Sequence, residues 1–331
     1  MKKLLFGALA LAIGLGAASA DAFAQAKQLK IATIQSANGP WHKAMIRFKE
    51  IVEEKTNGAF DIQIYTDGQM GDTTAMMTAM QIGALDMVYQ GATSASYMKG
   101  GEALNVMMVP YLFKDGDSAE KVLNSPEFME LYDQAAQSSG IRVVGAWGQR
   151  SPRALQTIQG PIAKPEDVKG LRIRIPPIGL LEASFKTLGA QITPTGILEI
   201  YNGLSRGSLD GQDNGFDLSY PNKLHEVAKH WSSTDHVREI IGWFASEKVW
   251  QGLTDEQRDV IKAATKEAGA VATELQKEAD EEARAAMEAA GVTFTVPDHA
   301  AFAAALADVH KEWEGKVWPD GLVERIRKMQ E

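Results

Sequence analysis

The sequence predicts an α/β protein of two domains, on three observations. Strand-like and helix-like segments alternate from Leu29 onward, which implies parallel strands with helices packed over them. The same alternation resumes over residues 171–175 and 192–194. Once a leader is removed, about 300 residues remain, enough for two domains of ordinary size that each bury a core.

Residues 1–24 read as that leader. Lys2 and Lys3 precede an apolar run from Leu4 to about Gly16, too short to span a bilayer. Two small-residue cleavage sites follow, Ala18-Ser19-Ala20 and Ala22-Phe23-Ala24, and cleavage after Ala24 is expected. No cysteine occurs, so an exported protein of this sequence has no disulfides and no lipidated N-terminal cysteine. Free residence in the periplasm fits best, with no direct membrane insertion. The formal charge is −9, and losing Lys2, Lys3 and Asp21 with the leader (two positive charges, one negative) leaves −10. An acidic exported chain is a poor partner for nucleic acid or anionic membrane, although a pocket can still bind an anion through its local groups.

Residues 29–34 form a short β-rich run. Gly39-Pro40 opens a helix in which Trp41, Met45, Phe48 and Val52 share one apolar face, and Asn57-Gly58 closes it. A strand over 60–65, a Met-rich helix over 72–82 and a strand over 85–90 follow. In sheets of this kind ligands sit at the carboxyl ends of the strands, which points to the loops 35–41 and 91–94. Residues 143–147 lead out of the first sheet, the domain break falls at Arg150–Ser151, and residues 239–244 return. The last long element starts at a capping box, Thr254 with Gln257, and stops at Gly291. Its apolar stripe is Ile261, Ala264, Ala268, Val271 and Leu275. At ~1.5 Å per residue it reaches on the order of 50 Å. Such a helix braces both domains or forms the seam of a dimer, and the brace is favoured.

The most informative stretch is 161–214. It holds Arg172-Ile173-Arg174-Ile175-Pro176, then Glu199-Ile200-Tyr201, then Asp210-Gly211-Gln212-Asp213-Asn214. An arginine inside a short apolar strand needs an anionic partner, because its guanidinium is always charged and matches a carboxylate with two parallel hydrogen bonds. Arg174 is the strongest candidate, and the blander alternative is a buried ion pair between domains. Arg153 follows the domain break beside Arg150, where a surface linker arginine is the alternative. Asn214 sits in a turn-rich run and by itself reads as a turn former. Enzyme signals are weak. The six histidines show no metal-ligand spacing, and neither a nucleophile elbow nor a phosphate-cradling glycine loop occurs. No metal or organic cofactor is implied.

Along nearly its whole mature length the chain resembles the extracytoplasmic solute-binding proteins of tripartite ATP-independent periplasmic (TRAP) transporters. The residues that carry the resemblance are Asn57-Gly58, Gly68-Gln69-Met70-Gly71-Asp72, Gly83-Ala84-Leu85-Asp86, Pro110-Tyr111-Leu112-Phe113, the run from Pro165 to Pro176, Glu199-Ile200-Tyr201 and Asp210-Gly211. The resemblance implies a two-lobed periplasmic binding protein fold, two sheets flanked by helices with a cleft between them and a long helix spanning both lobes. The first lobe is expected from 27–150 plus 239–278, the second from 151–238 plus 279–331. It also implies that Arg174 makes a two-pronged salt bridge to a ligand carboxylate, with Arg153 as a second arginine and Asn214 on the other carboxylate edge. The chain departs from the family pattern at Pro152 and Gly215.

Around those anchors polar groups are few. Gly91, Pro177 and Ile197 fall where sialate-type relatives carry side chains that read a polyhydroxylated ligand. Trp41, Trp147 and Phe216 are read either as core or as a stack on an apolar part of the ligand. The expected function is a periplasmic receptor that binds an organic acid anion and delivers it to a TRAP permease driven by an ion gradient. The alternatives are a binding protein serving an ATP-driven transporter or a sensor, a periplasmic enzyme acting on small acids, and a scaffold dimerised through the long helix.

Overall fold

The computed structural model describes residues 26–331, so the leader and its cleavage site lie outside the described residues. Eleven strands build two sheets. The first four strands are β1 (Lys27–Ala32), β2 (Phe60–Tyr65), β3 (Met87–Gly91) and β4 (Ile141–Gln149). Then come β5 (Ala154–Thr157), β6 (Arg172–Ile175), β7 (Gln191–Pro194), β8 (Gly211–Asn214) and β9 (His230–Ser232). The chain returns with β10 (Ile240–Ser246) and ends its strands with β11 (Thr293–Thr295). The first sheet runs β2-β1-β3-β10-β4 and the second β11-β9-β5-β8-β6-β7. Strands joined through helices pair in parallel, β1 with β2 and β3, and β6 with β7 and β8. β10 enters antiparallel between β3 and β4, and β5 runs antiparallel to β8 and β9. The result is two mixed sheets in two lobes.

The first helix, Pro40–Lys55, has proline in its first turn and buries Trp41, Ala44, Met45, Phe48, Ile51 and Val52 against the first sheet, the face its spacing predicts. It ends where Asn57 and Gly58 take left-handed conformations, with φ of 50° and 74°. The Met-rich helix, Thr73–Gln81, is capped by Asp72, whose Oδ1 accepts from the Ala75 N–H at 2.9 Å.

The long helix is one continuous element, Asp255–Ala289, with the predicted capping box in place. Ile261, Ala264, Ala268 and Ala272 pack into the core of the first lobe, while Met287 packs with Trp231 and Ala154 in the second. It therefore braces both lobes. Its buried stripe continues through Gly269 and Gln276, and the expected Val271 and Leu275 lie half-buried at the edge. The small residues shift the contact line because they let the helix backbone lie directly on Trp147.

One expectation is corrected. The run containing Asn214 is no turn but a central strand, β8, buried throughout. Its polar side chains are tolerated because β5 and β6 supply both ladders, and because Gln212 Nε2 donates to Gln156 Oε1 and Ser219 Oγ at 3.1 and 3.0 Å.

Candidate functional site

A cavity of about 60 Å³ lies between the lobes. Its wall is built largely from residues at or just past the carboxyl ends of parallel strands: Ile34 after β1, Gly91 of β3, Arg174 and Pro176 at the end of β6, Asn214 of β8. That is the position expected of a ligand site in such sheets.

Strand alternation sets up the arginine. Ile173 and Ile175 face the apolar core, so Arg172 and Arg174 share the other face. At the strand start Arg172 is partly exposed and held by Asp210, Nη2 to Oδ1 at 2.6 Å and Nε to Oδ2 at 2.9 Å. Two residues on, Arg174 is 3% exposed and has no such partner. Its Nε and Nη2 donate to the Thr195 carbonyl, Nε at 2.8 Å. Among the described residues no carboxylate lies within ion-pair distance of it. Burial brings its guanidinium down to about 10, still protonated at neutral pH.

The two neighbouring arginines are treated differently. Arg153 Nη2 donates to Asp213 Oδ2 at 2.7 Å and to the Asp213 carbonyl at 3.0 Å, and its Nη1 reaches Glu239 Oε2 at 3.2 Å. Arg150 donates from Nε to Asp217 Oδ2 at 2.7 Å and from Nη1 to Glu239 Oε2. Glu239 Oε1 in turn accepts from Thr93 Oγ1 at 2.8 Å. Burial alone would lower both guanidinium groups, but the adjacent carboxylates outweigh it and hold them above the ordinary value. Burial alone would likewise raise the Asp213 carboxyl, yet Arg153 and His236 hold it well below the usual range.

The structure places Arg174, Arg153, Asn214 and Gly91 together on the cavity wall. Arg153 has its donors directed at Asp213 and Glu239. Asn214 Nδ2 donates to Gln212 Oε1 at 3.0 Å. A β-carbon at Gly91 would overlap the Glu239 carboxylate, so glycine is what the ion cluster leaves room for. Trp41, Trp147 and Phe216 are not on the wall. Trp41 is buried beneath the first sheet with its ring 5.3 Å from the Arg150 guanidinium, and Trp147 packs under the long helix. Phe216 stacks on Trp231 at 4.2 Å in a satellite core of the second lobe. Trp41 is fully buried core, and Trp147 and Phe216 are partly buried side chains packed against it and against the satellite core.

Arg150, Glu239, Gln90 and Tyr97 are among the polar wall residues that the sequence did not single out. Tyr97 ends the turn Ala92–Tyr97 that follows β3, and burial pushes its phenol up to about 12, so it faces the cavity as a neutral hydroxyl. Gln90 Nε2 donates to Thr73 Oγ1 at 2.7 Å, and its Oε1 is buried without a donor among the described residues. Nothing in local sequence marks these positions, because their partners lie far away in the chain.

The model of the bacterial extracellular solute-binding protein family 7 matches residues 31–316. The C4-dicarboxylate-binding periplasmic protein DctP of Rhodobacter capsulatus is 28% identical over 317 residues, 95% of this chain and 93% of its own. A TRAP periplasmic solute-binding protein from Actinobacillus succinogenes 130Z, solved with bound L-galactonate, superposes with a TM-score of 0.85 at 27% identity, covering 92% of this chain and 99% of that one. One from Bordetella bronchiseptica, with ligand density assigned as pantoate, gives 0.85 at 25% identity over 92% and 99%.

Proposed function

The chain belongs to family 7 of the bacterial extracellular solute-binding proteins, the solute receptors of TRAP transporters, and on that premise we propose that it clamps an organic acid anion against Arg174. The loaded protein, closed over its cargo in the periplasm, docks on a TRAP membrane permease, which moves the anion on an ion gradient. Asn214 and Tyr97 line the same cavity and give the carboxylate further hydrogen-bonding partners. Turnover has no part in this reading, so the ligand is released chemically unchanged.

The observation that carries it is the contrast among three buried arginines. Arg150 and Arg153 each contact two carboxylates, and Arg174 contacts none among the described residues. A buried cation without a counter-charge is costly, and an incoming carboxylate supplies the missing partner in a setting where charge-assisted bonds are strong.

Two variants test the contrast. Arg174→Met should keep the fold and weaken acid binding by about 100-fold or more, as expected when one side of a buried charge pair is truncated. Arg153→Met should instead destabilise the protein, because Asp213 and Glu239 lose a partner. The measurements are calorimetric titration with organic acids and thermal melting. Unchanged affinity in Arg174→Met refutes the clamp.

A further inference from the structure

Resting on the reading of Arg174 as the carboxylate clamp, we propose that the cargo is a short aliphatic monocarboxylate carrying one hydroxyl group. Three features of the wall select this class.

The first is charge. Glu239, Asp213 and Asp217 already neutralise Arg150 and Arg153, so Arg174 is the one wall guanidinium, among the described residues, without a carboxylate partner; Arg150 Nη2 has no hydrogen-bond partner of its own, but Asp217 and Glu239 already meet its charge. A second ligand carboxylate meets no further unneutralised cation. It meets Asp72 instead, whose Oδ1 caps its helix and whose Oδ2 has no protein donor. That oxygen lies across the cleft against Gly196, where a β-carbon would stand 3.0 Å from it. Like charges at such a distance repel, so the wall discriminates against dicarboxylates.

The second is the orphaned acceptor. Gln90 is 5% exposed, its amide nitrogen is engaged by Thr73, and its Oε1 has no donor among the described residues. Buried acceptors in folded proteins almost always have a partner. A hydroxyl on the ligand supplies the donor, and a carboxylate cannot. Asp72 Oδ2 is a further acceptor on the same wall, at a half-exposed residue that water also reaches.

The third is what surrounds these groups. Ile34, Pro176, Ile178, Ile197 and Leu218 offer hydrocarbon and no side-chain hydrogen bond. Hydroxyls of a polyhydroxylated chain that face these residues, and not the polar part of the wall, are left unpaired, which is unfavourable. The cavity is also small, about 60 Å³, which favours a short acid.

The test is calorimetric titration of the leader-free chain with lactate, 2-hydroxyisovalerate and 3-hydroxybutyrate. Each is paired with its analogue lacking the hydroxyl: propionate, isovalerate and butyrate. Succinate, malate and L-galactonate complete the panel. At least one hydroxy acid should bind about tenfold or more tighter than its deoxy analogue, the worth of one good hydrogen bond. It should also bind about 100-fold tighter than the dicarboxylates and the sugar acid. Gln90→Leu should shrink the hydroxyl preference to within about threefold while binding persists, whereas Arg174→Ala should remove binding of every acid. The wild-type panel decides the class even where the Leu variant fails to fold.

Tight, Arg174-dependent binding of malate or L-galactonate overturns the proposed class and leaves the clamp standing. Hydroxy-acid binding that survives Arg174→Ala overturns the clamp itself. Absence of binding across the short acids overturns the proposal outright.

Discussion

Glu239→Gln removes one negative charge from the cavity wall without changing its shape, which makes it a direct test of the charge balance described above. Glu239 Oε2 faces Arg150 Nη1 and Arg153 Nη1, and its Oε1 accepts from Thr93 at 2.8 Å. The side chains of all three charged partners are 3–5% exposed, so solvent screening is weak. Removing one partner of a buried ion pair costs about 3–5 kcal/mol. Here each arginine keeps another carboxylate, Asp217 for Arg150 and Asp213 for Arg153, so the lower end, about 3 kcal/mol, applies. At about 2–4 °C per kcal/mol this lowers Tm by about 6–12 °C. A second effect follows from the same subtraction. The wall loses one negative charge, which leaves two carboxylates for Arg150 and Arg153, so affinity for succinate should rise relative to a monocarboxylate of similar length. Scanning calorimetry gives the first quantity and isothermal titration the second. A Tm within about 2 °C of wild type, with unchanged ligand preference, refutes the assignment of Glu239 as the shared counter-charge.

Three further outcomes are expected. Asp280 accepts from Ser151 Oγ and Gln276 Nε2 at 2.6 and 2.8 Å, yet burial pushes its carboxyl up to about 6, above the unfolded value. With the folded value the higher one, native stability falls as pH rises from about 4 to about 6; Asp280→Asn should therefore melt higher than wild type at pH 7.5 and no higher at pH 4. Gly269→Ala should destabilise by about 1–3 kcal/mol in urea unfolding, against a helix-propensity gain of up to about 1 kcal/mol. The added carbon would stand 2.6 Å from the Trp147 carbonyl carbon, a backbone atom that cannot step aside. Phe216→Ala should cost about 2 kcal/mol through the lost stack on Trp231 at 4.2 Å, less than a fully buried phenylalanine, and leave acid affinity unchanged.

The sequence was most legible where local composition and function agree. β2 is the segment 60–65 foreseen from its alternation, and the first helix buries the face its spacing indicates. The long helix carries the foreseen capping box and crosses both lobes. Arg174 stood out because a charged residue between isoleucines in a short strand violates the local pattern, and such violations mark sites that serve something other than packing. β8 was illegible for the converse reason: Gly-Gln-Asp-Asn has turn composition, and only two neighbouring strands and the Gln156 side chain make it a strand. The fate of Arg153 was equally hidden. Its partners Asp213 and Glu239 lie 60 and 86 residues away, so nothing nearby distinguishes an arginine held by the fold from one left for a ligand. The aromatics failed on direction: an apolar face on Trp41 requires burial but does not say whether protein or ligand covers it.

That distinction between arginines also bears on how capture and closure are linked. Arg150 and Arg153 have guanidinium groups held above the ordinary value, and Arg174 in the same cavity is displaced the other way by burial. The residue type and the degree of burial are alike. What differs is whether the chain itself brings a carboxylate. The wall around Arg174 draws on both sheets, with Gln90 and Gly91 from the first and Arg174 and Asn214 from the second, so the water-poor setting exists only while the lobes are together. On the proposed clamp, a carboxylate on Arg174 would remove the penalty of this closed arrangement, whereas an open cleft, hydrated on both faces, would carry no such penalty to remove. The ligand would then stabilise the closed form selectively, by about 2.7 kcal/mol at 100 times its Kd. An arginine paired within the protein would forfeit that coupling, because closure would then be as favourable empty as full.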